Sequence, residues 1–74
     1  MTPIVVAMEV GPNGVLVREA FVCISTLETV ESRVDQLETM FKNKAFDNWG
    51  EERRKSAEGA ISRGNTLVFK PFFY

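Results

Sequence analysis

Apolar positions in the first third of the chain come in runs. Ile4, Val5, Val6, Ala7, Met8 and Val10 form one largely β-branched stretch, and Val15, Val17, Phe21, Val22 and Ile24 mark a second. Gly11-Pro12-Asn13-Gly14 stands between them. Pro12, with φ held at about −65°, suits the first central position of a type I turn, Asn13 tolerates the second, and Gly14 can take the left-handed position that follows. Two extended runs around such a turn predict a β-hairpin. Arg18 and Glu19 break the apolar pattern on both faces of the second run, so the strands are expected to be partly exposed.

The period then changes. Leu27, Val30, Val34, Leu37 and Phe41 recur at spacings of three and four, which is one face of a helix. Ser25-Thr26-Leu27-Glu28 ahead of them reads as a capping box. The spacing predicts a helix from Thr26 to Asn43 or Lys44, with Lys42 and Lys44 at its negative end. A second helix is expected to start at Asn48 as N-cap, carry Glu51 and Glu52 in its first turn, and stop at Gly64-Asn65. Its apolar side is thin: Ala57, Ala60 and Ile61, with Trp49 just ahead of them. A strand pattern resumes at Thr66, Leu67, Val68 and Phe69, and Pro71 places this strand at an edge or ends it near Lys70. The order β-β-α-α-β predicts an α+β fold: a hairpin and a C-terminal strand in a three-stranded antiparallel sheet, with two helices packed on one face.

Length bounds this picture to a single compact domain over residues 1–74. With 45% hydrophobic and 26% charged residues the composition is that of a folded chain. A domain this short has a thin core and commonly gains stability from a partner or from self-association. The net charge of −1 attracts neither nucleic acid nor an anionic membrane. That charge is uneven: seven acids against four bases over residues 1–47, three against five over 48–74.

The chemistry is defined mostly by what is missing. There is no histidine and one cysteine, which removes His-based acid–base catalysis, His-paired nucleophiles and most zinc sites. No glycine pattern forms a phosphate-binding loop. Cys23 is expected to be a buried small hydrophobe. No catalytic, cofactor or metal site is expected, and the chain is not expected to be an enzyme. No signal peptide is read at the N-terminus, and the apolar stretch from Pro3 to Met8 is too short to span a bilayer, so a cytoplasmic location fits.

Binding remains, with three candidate surfaces. Phe72, Phe73 and Tyr74 concentrate aromatic area at the end of the chain; either they fold back as the last strand and complete a small core, or with Trp49 they form an exposed patch that serves a homodimer seam or a partner contact. Glu28, Glu31, Asp35 and Glu38 share one flank of the first helix, an acidic ridge suited to docking on a basic surface. Arg53, Arg54 and Lys55, joined by Arg63, form a basic run on the second helix; a small nucleic-acid-binding module is the alternative it suggests. The expected function is a protein–protein interaction domain, an inhibitor or adaptor that docks on a larger protein, of the kind phages and mobile elements encode.

Overall fold

The computed structural model describes residues 1–74. Five elements follow in the expected order: β1 (Pro3–Val10), β2 (Leu16–Ile24), α1 (Val30–Lys42), α2 (Glu51–Ser62) and β3 (Thr66–Phe73). The strands make one sheet in the order β2-β1-β3, antiparallel throughout. Both helices pack on one of its faces, α1 over β1 and β3, α2 over β2 and β3. The α+β architecture expected from the pattern is the one found.

The hairpin turn forms by the mechanism its residues suggest. Gly14 N–H donates to Gly11 C=O at 2.9 Å and Gly11 N–H to Val15 C=O at 2.9 Å. Asn13 Oδ1 accepts from Val15 N–H at 3.3 Å. Gly14 takes φ 80°, a left-handed angle that carries no Cβ penalty for glycine. Beyond the turn the β1–β2 register shifts twice, between Ala7 and Met8 and between Glu9 and Val10. These irregularities coincide with the polar interruption at Arg18 and Glu19.

The first helix begins later than the capping box implies. Ser25 Oγ lies 3.4 Å from Thr29 Oγ1 instead of capping Glu28 N–H. Thr29 N–H donates to Thr26 Oγ1 at 3.2 Å, and the Thr26 and Thr29 hydroxyls pair at 2.6 Å. This hydroxyl cluster holds residues 26–29 in a separate turn, as short polar side chains do when they compete with the helix for backbone groups. Leu27 is therefore exposed and Glu28 precedes the helix, while Val30, Val34 and Leu37 are buried as the spacing predicts.

The second helix also starts late, at Glu51, with Gly50 and not Asn48 as N-cap. Trp49 must turn inward to be buried, and Trp49 N–H closes a turn onto Phe46 C=O at 3.1 Å. Gly50 then redirects the chain at φ 84°, ψ 159°, a region open essentially to glycine alone. At the other end Asn65 N–H reaches Ala60 C=O (2.9 Å) and Gly64 N–H reaches Ile61 C=O (3.0 Å). That pair of bonds, with Gly64 at φ 74°, is a Schellman stop where the sequence places one.

The last strand runs through Pro71 to Phe73, three residues past Lys70. Tyr74 N–H donates to Thr2 C=O at 3.0 Å and Thr2 N–H returns the bond to Tyr74 C=O. Hydrogen-bonded and non-bonded pairs alternate along an antiparallel ladder. Counting from Thr2–Tyr74, the Val5–Pro71 pair is non-bonded, so the proline nitrogen faces outward from an edge strand and costs the ladder nothing.

The core lies between sheet and helices. Val5, Ala7, Cys23, Leu67 and Phe69 supply the sheet side, and Val30, Val34, Leu37, Ala57 and Ala60 the helical side. Phe46 and Trp49, from the link between the helices, complete it. Trp49 packs 4.8 Å from Phe46, 5.5 Å from Phe21 and 6.2 Å from Phe69, centroid to centroid. Its Nε1–H points to Met40 Sδ at 3.3 Å. The expectation of an exposed Trp49 joined to the C-terminal aromatics is overturned: the thin apolar side of α2 is supplemented by the indole, which is why it is buried.

Candidate functional site: the uncovered face of the sheet

Side chains alternate across a strand, so the residues between the core positions face away from the helices. On β1 these are Ile4, Val6, Met8 and Val10. The register sets Ile24, Val22 and Leu16 beside Ile4, Val6 and Val10. On the other side it sets Phe72 beside Ile4 and Val68 beside Met8. No element covers this surface. Ile24 is 80% exposed, Leu16 56%, Val22 44% and Phe72 39%. Val6 is buried yet stands outside the core cluster, flanked across the strands by Val22 and Lys70.

Only three polar residues of the strands pair onto this face. Glu19 lies opposite Met8 on β2, and Lys70 and Thr66 lie opposite Val6 and Val10 on β3. Both charged side chains are exposed, and neither takes part in an ion pair. From the usual strand spacing and rise the face measures roughly 14 by 27 Å. Apolar area on that scale is about the largest a monomer ordinarily shows.

The opposite face holds the other notable polar group. Glu9 is 1% exposed, within the core layer. Arg63 grips its carboxylate with two bonds, Nε to Oε2 at 2.8 Å and Nη2 to Oε1 at 2.7 Å, and Asn65 Nδ2 adds a third at 2.7 Å. Arg18 Nε stands 3.6 Å away. These donors, Arg63 first and Asn65 next, bring the carboxyl from an ordinary 4.5 down to about 2 against the opposing effect of burial. Glu9 in turn raises the Arg63 pKa. The Schellman stop of α2 aims Arg63 and Asn65 at β1, so the network ties the helix end to the central strand. A shallow cleft of about 240 Å³ beside it is lined by Arg18, Lys55, Ser56 and Ala20.

The sequence-predicted surfaces fall out differently. The C-terminal aromatics divide: Phe72 and Tyr74 stack at 6.5 Å on the uncovered face, and Phe73, of opposite alternation, is 49% exposed at the sheet end. Glu31, Asp35 and Glu38 do line the exposed side of α1, but Glu28 lies outside the helix and does not extend their stripe. The bases of α2 are engaged internally. Arg54 pairs with Glu58 at 3.7 Å and Lys55 with Glu51 at 3.4 Å. Arg53 lies over the Phe21 ring at 5.5 Å, and Arg63 is clamped to Glu9.

Sequence reasoning missed the uncovered face and the Glu9 network. The signal for the first was present: β1 is apolar at nearly every position, the pattern of a strand covered on both faces, while the helices can cover only one. For the second the signal was a lone acid inside that run.

Cys23 is buried and free. No group of His, Cys, Asp and Glu is placed to hold a metal ion, and no helix is long and apolar enough to cross a membrane. Fold and site together define a small α+β domain with one face of its sheet open and apolar. No family model, curated protein or solved structure matches the chain.

Proposed function

We propose that the protein is a non-enzymatic protein-binding domain, an adaptor or inhibitor, whose contact surface is the uncovered sheet face with Phe72 and Tyr74 at its end. The observation that carries this reading is the apolar content of that face. Burying exposed apolar area is favourable by about 25 cal/mol per Å², and aromatic side chains at one end supply the anchors that dominate interfaces. The three-stranded ladder fixes the backbone beneath these side chains, so binding need not order the strands themselves. The acid and base on the face give a partner orientation more than affinity.

A capture experiment tests the reading. The tagged chain is compared with Val22→Glu, which puts a charge on the face beside Val6 of the central strand, and with Glu31→Lys/Asp35→Lys, which reverses the α1 ridge. Loss of a bound protein with the first variant, and its retention with the second, is the expected outcome. Capture that survives Val22→Glu and disappears with the ridge reversal assigns binding to α1 instead. The basic side chains of α2 each have an acidic or aromatic neighbour, in Glu51, Glu58 and Phe21, and Arg63 just beyond the helix holds Glu9, so no observation favours a nucleic-acid reading over this one.

A further inference from the structure

The distribution of charge over the uncovered face points to its occupant, and we infer that this occupant is a second copy of the chain. The inference rests on the protein-binding reading of the same face and names the partner. Glu19 stands on one flanking strand and Lys70 on the other, at the levels of Met8 and Val6 of β1. A closed dimer requires one patch to be complementary to itself. Consider a two-fold axis lying between two facing sheets and parallel to β1. It sets β2 of one copy over β3 of the other. Glu19 then faces Lys70 of the second copy, and the same pair forms again across the axis.

Spacings agree with this arrangement. The two residues are offset by two positions along the strand, about 7 Å, and facing sheets lie about 10 Å apart, so their Cα atoms are separated by about 12 Å. Extended glutamate and lysine side chains bridge that distance. An axis perpendicular to the strands instead sets β2 over β2, bringing Glu19 toward Glu19 and Lys70 toward Lys70. Only the strand-parallel axis pairs opposite charges, and it produces an aligned sandwich, an ordinary packing for two sheets.

Area is also sufficient. A face of this size buries roughly 600 Å² per copy once side-chain relief is included, or about 1,200 Å² in total, the lower end of the range for specific interfaces. Its composition, apolar apart from one acid, one base and a threonine, is that of a homodimer interface more than of a rim-dominated transient one. The apolar pattern of both sides of β1 then has its explanation: in the dimer the strand is covered on both faces.

Sedimentation equilibrium of the full chain tests this. The expected result is a monomer of 8.4 kDa in reversible equilibrium with a species of twice that mass, with a micromolar dissociation constant, as suits an interface at the small end of the range. Val22→Glu should weaken the dimer by roughly a hundredfold or more. Glu19→Lys and Lys70→Glu should each weaken it by roughly tenfold, and the double exchange Glu19→Lys/Lys70→Glu should restore it. Circular dichroism on every variant separates loss of the dimer from loss of the fold; if Val22→Glu unfolds, Ile24→Lys at the exposed edge replaces it. A chain that stays monomeric up to about 500 µM, far above a micromolar dissociation constant, overturns the inference. So does a dimer indifferent to Val22→Glu, or one that the charge exchange fails to restore. A monomer that still captures another protein through Val22 overturns the dimer and leaves the protein-binding reading standing; a monomer whose capture ignores Val22 overturns both.

Discussion

One carboxylate is buried in the core layer and fully engaged by side-chain donors. Glu9 sits near the C-terminal end of β1 with its carboxylate held by Arg63, Asn65 and Arg18. Its folded pKa, about 2, lies below its ordinary 4.5. A depressed acid of this kind contributes stability that is complete above the unfolded value and is lost as protons bind the folded state. Stability should therefore fall as pH drops from about 4.5 to about 2, and urea denaturation across that window measures it. Glu9→Gln should lower stability at neutral pH, because the guanidinium loses its counter-charge, and should flatten the acid dependence in the same window. Trp49 is the other residue with a consequence. Trp49→Ala removes a buried indole from the aromatic cluster and is expected to cost about 3–5 kcal/mol, whereas Tyr74→Ala, at an exposed terminus, should stay within about 0.5 kcal/mol for the monomer. The Glu9 network was not legible in the sequence. A lone acid in an apolar run reads equally as a solvent-facing strand position, and its hydrogen-bonding partners Arg63 and Asn65 lie more than fifty residues away.

At the scale of the element, types were legible and the starts of the two helices were not. The three-four spacing of Val30, Val34 and Leu37 defines α1, but the Ser25, Thr26 and Thr29 hydroxyls take one another as partners and delay its start. Leu27 and Leu37 belong to one apolar series in the sequence, yet only Leu37 is buried. Leu37→Ala should cost about 2–5 kcal/mol and Leu27→Ala no more than about 0.5 kcal/mol, by chemical denaturation. Helix ends carry a further prediction. After α1 the chain passes through Lys44 at φ 55°, with Ala45 N–H on Met40 C=O at 2.9 Å and Lys44 N–H on Phe41 C=O at 3.1 Å. This is the geometry in which glycine is preferred, so Lys44→Gly should raise stability by about 1 kcal/mol. Gly50 presents the reverse case. A Cβ there meets nothing within 4 Å, so Gly50→Ala tests backbone conformation alone and should cost about 1–3 kcal/mol.

For the whole molecule the governing fact is that two helices cover one face of a three-stranded sheet and nothing covers the other. If a second copy closes that face, dimerisation and folding are linked, and the thermal midpoint should rise with protein concentration. Val22→Glu should abolish that concentration dependence while leaving the monomer folded, a comparison that differential scanning calorimetry makes directly.

The chain's own order of residues determined the element sequence, the hairpin turn at Gly11-Pro12-Asn13-Gly14, the stop at Gly64, and hence the α+β class, because turn chemistry and hydrophobic period act over a few residues. Tertiary structure alone decided three further things. β3 joined β1, so that β1 became the central strand. Trp49 turned inward, because α2 has little else to bury. Glu9 met Arg63 and Asn65, because the end of α2 comes to rest over β1. An apolar β1 is a local property, but which of its two sides lacks a cover depends on where the helices pack, and that is settled only when the whole chain has folded.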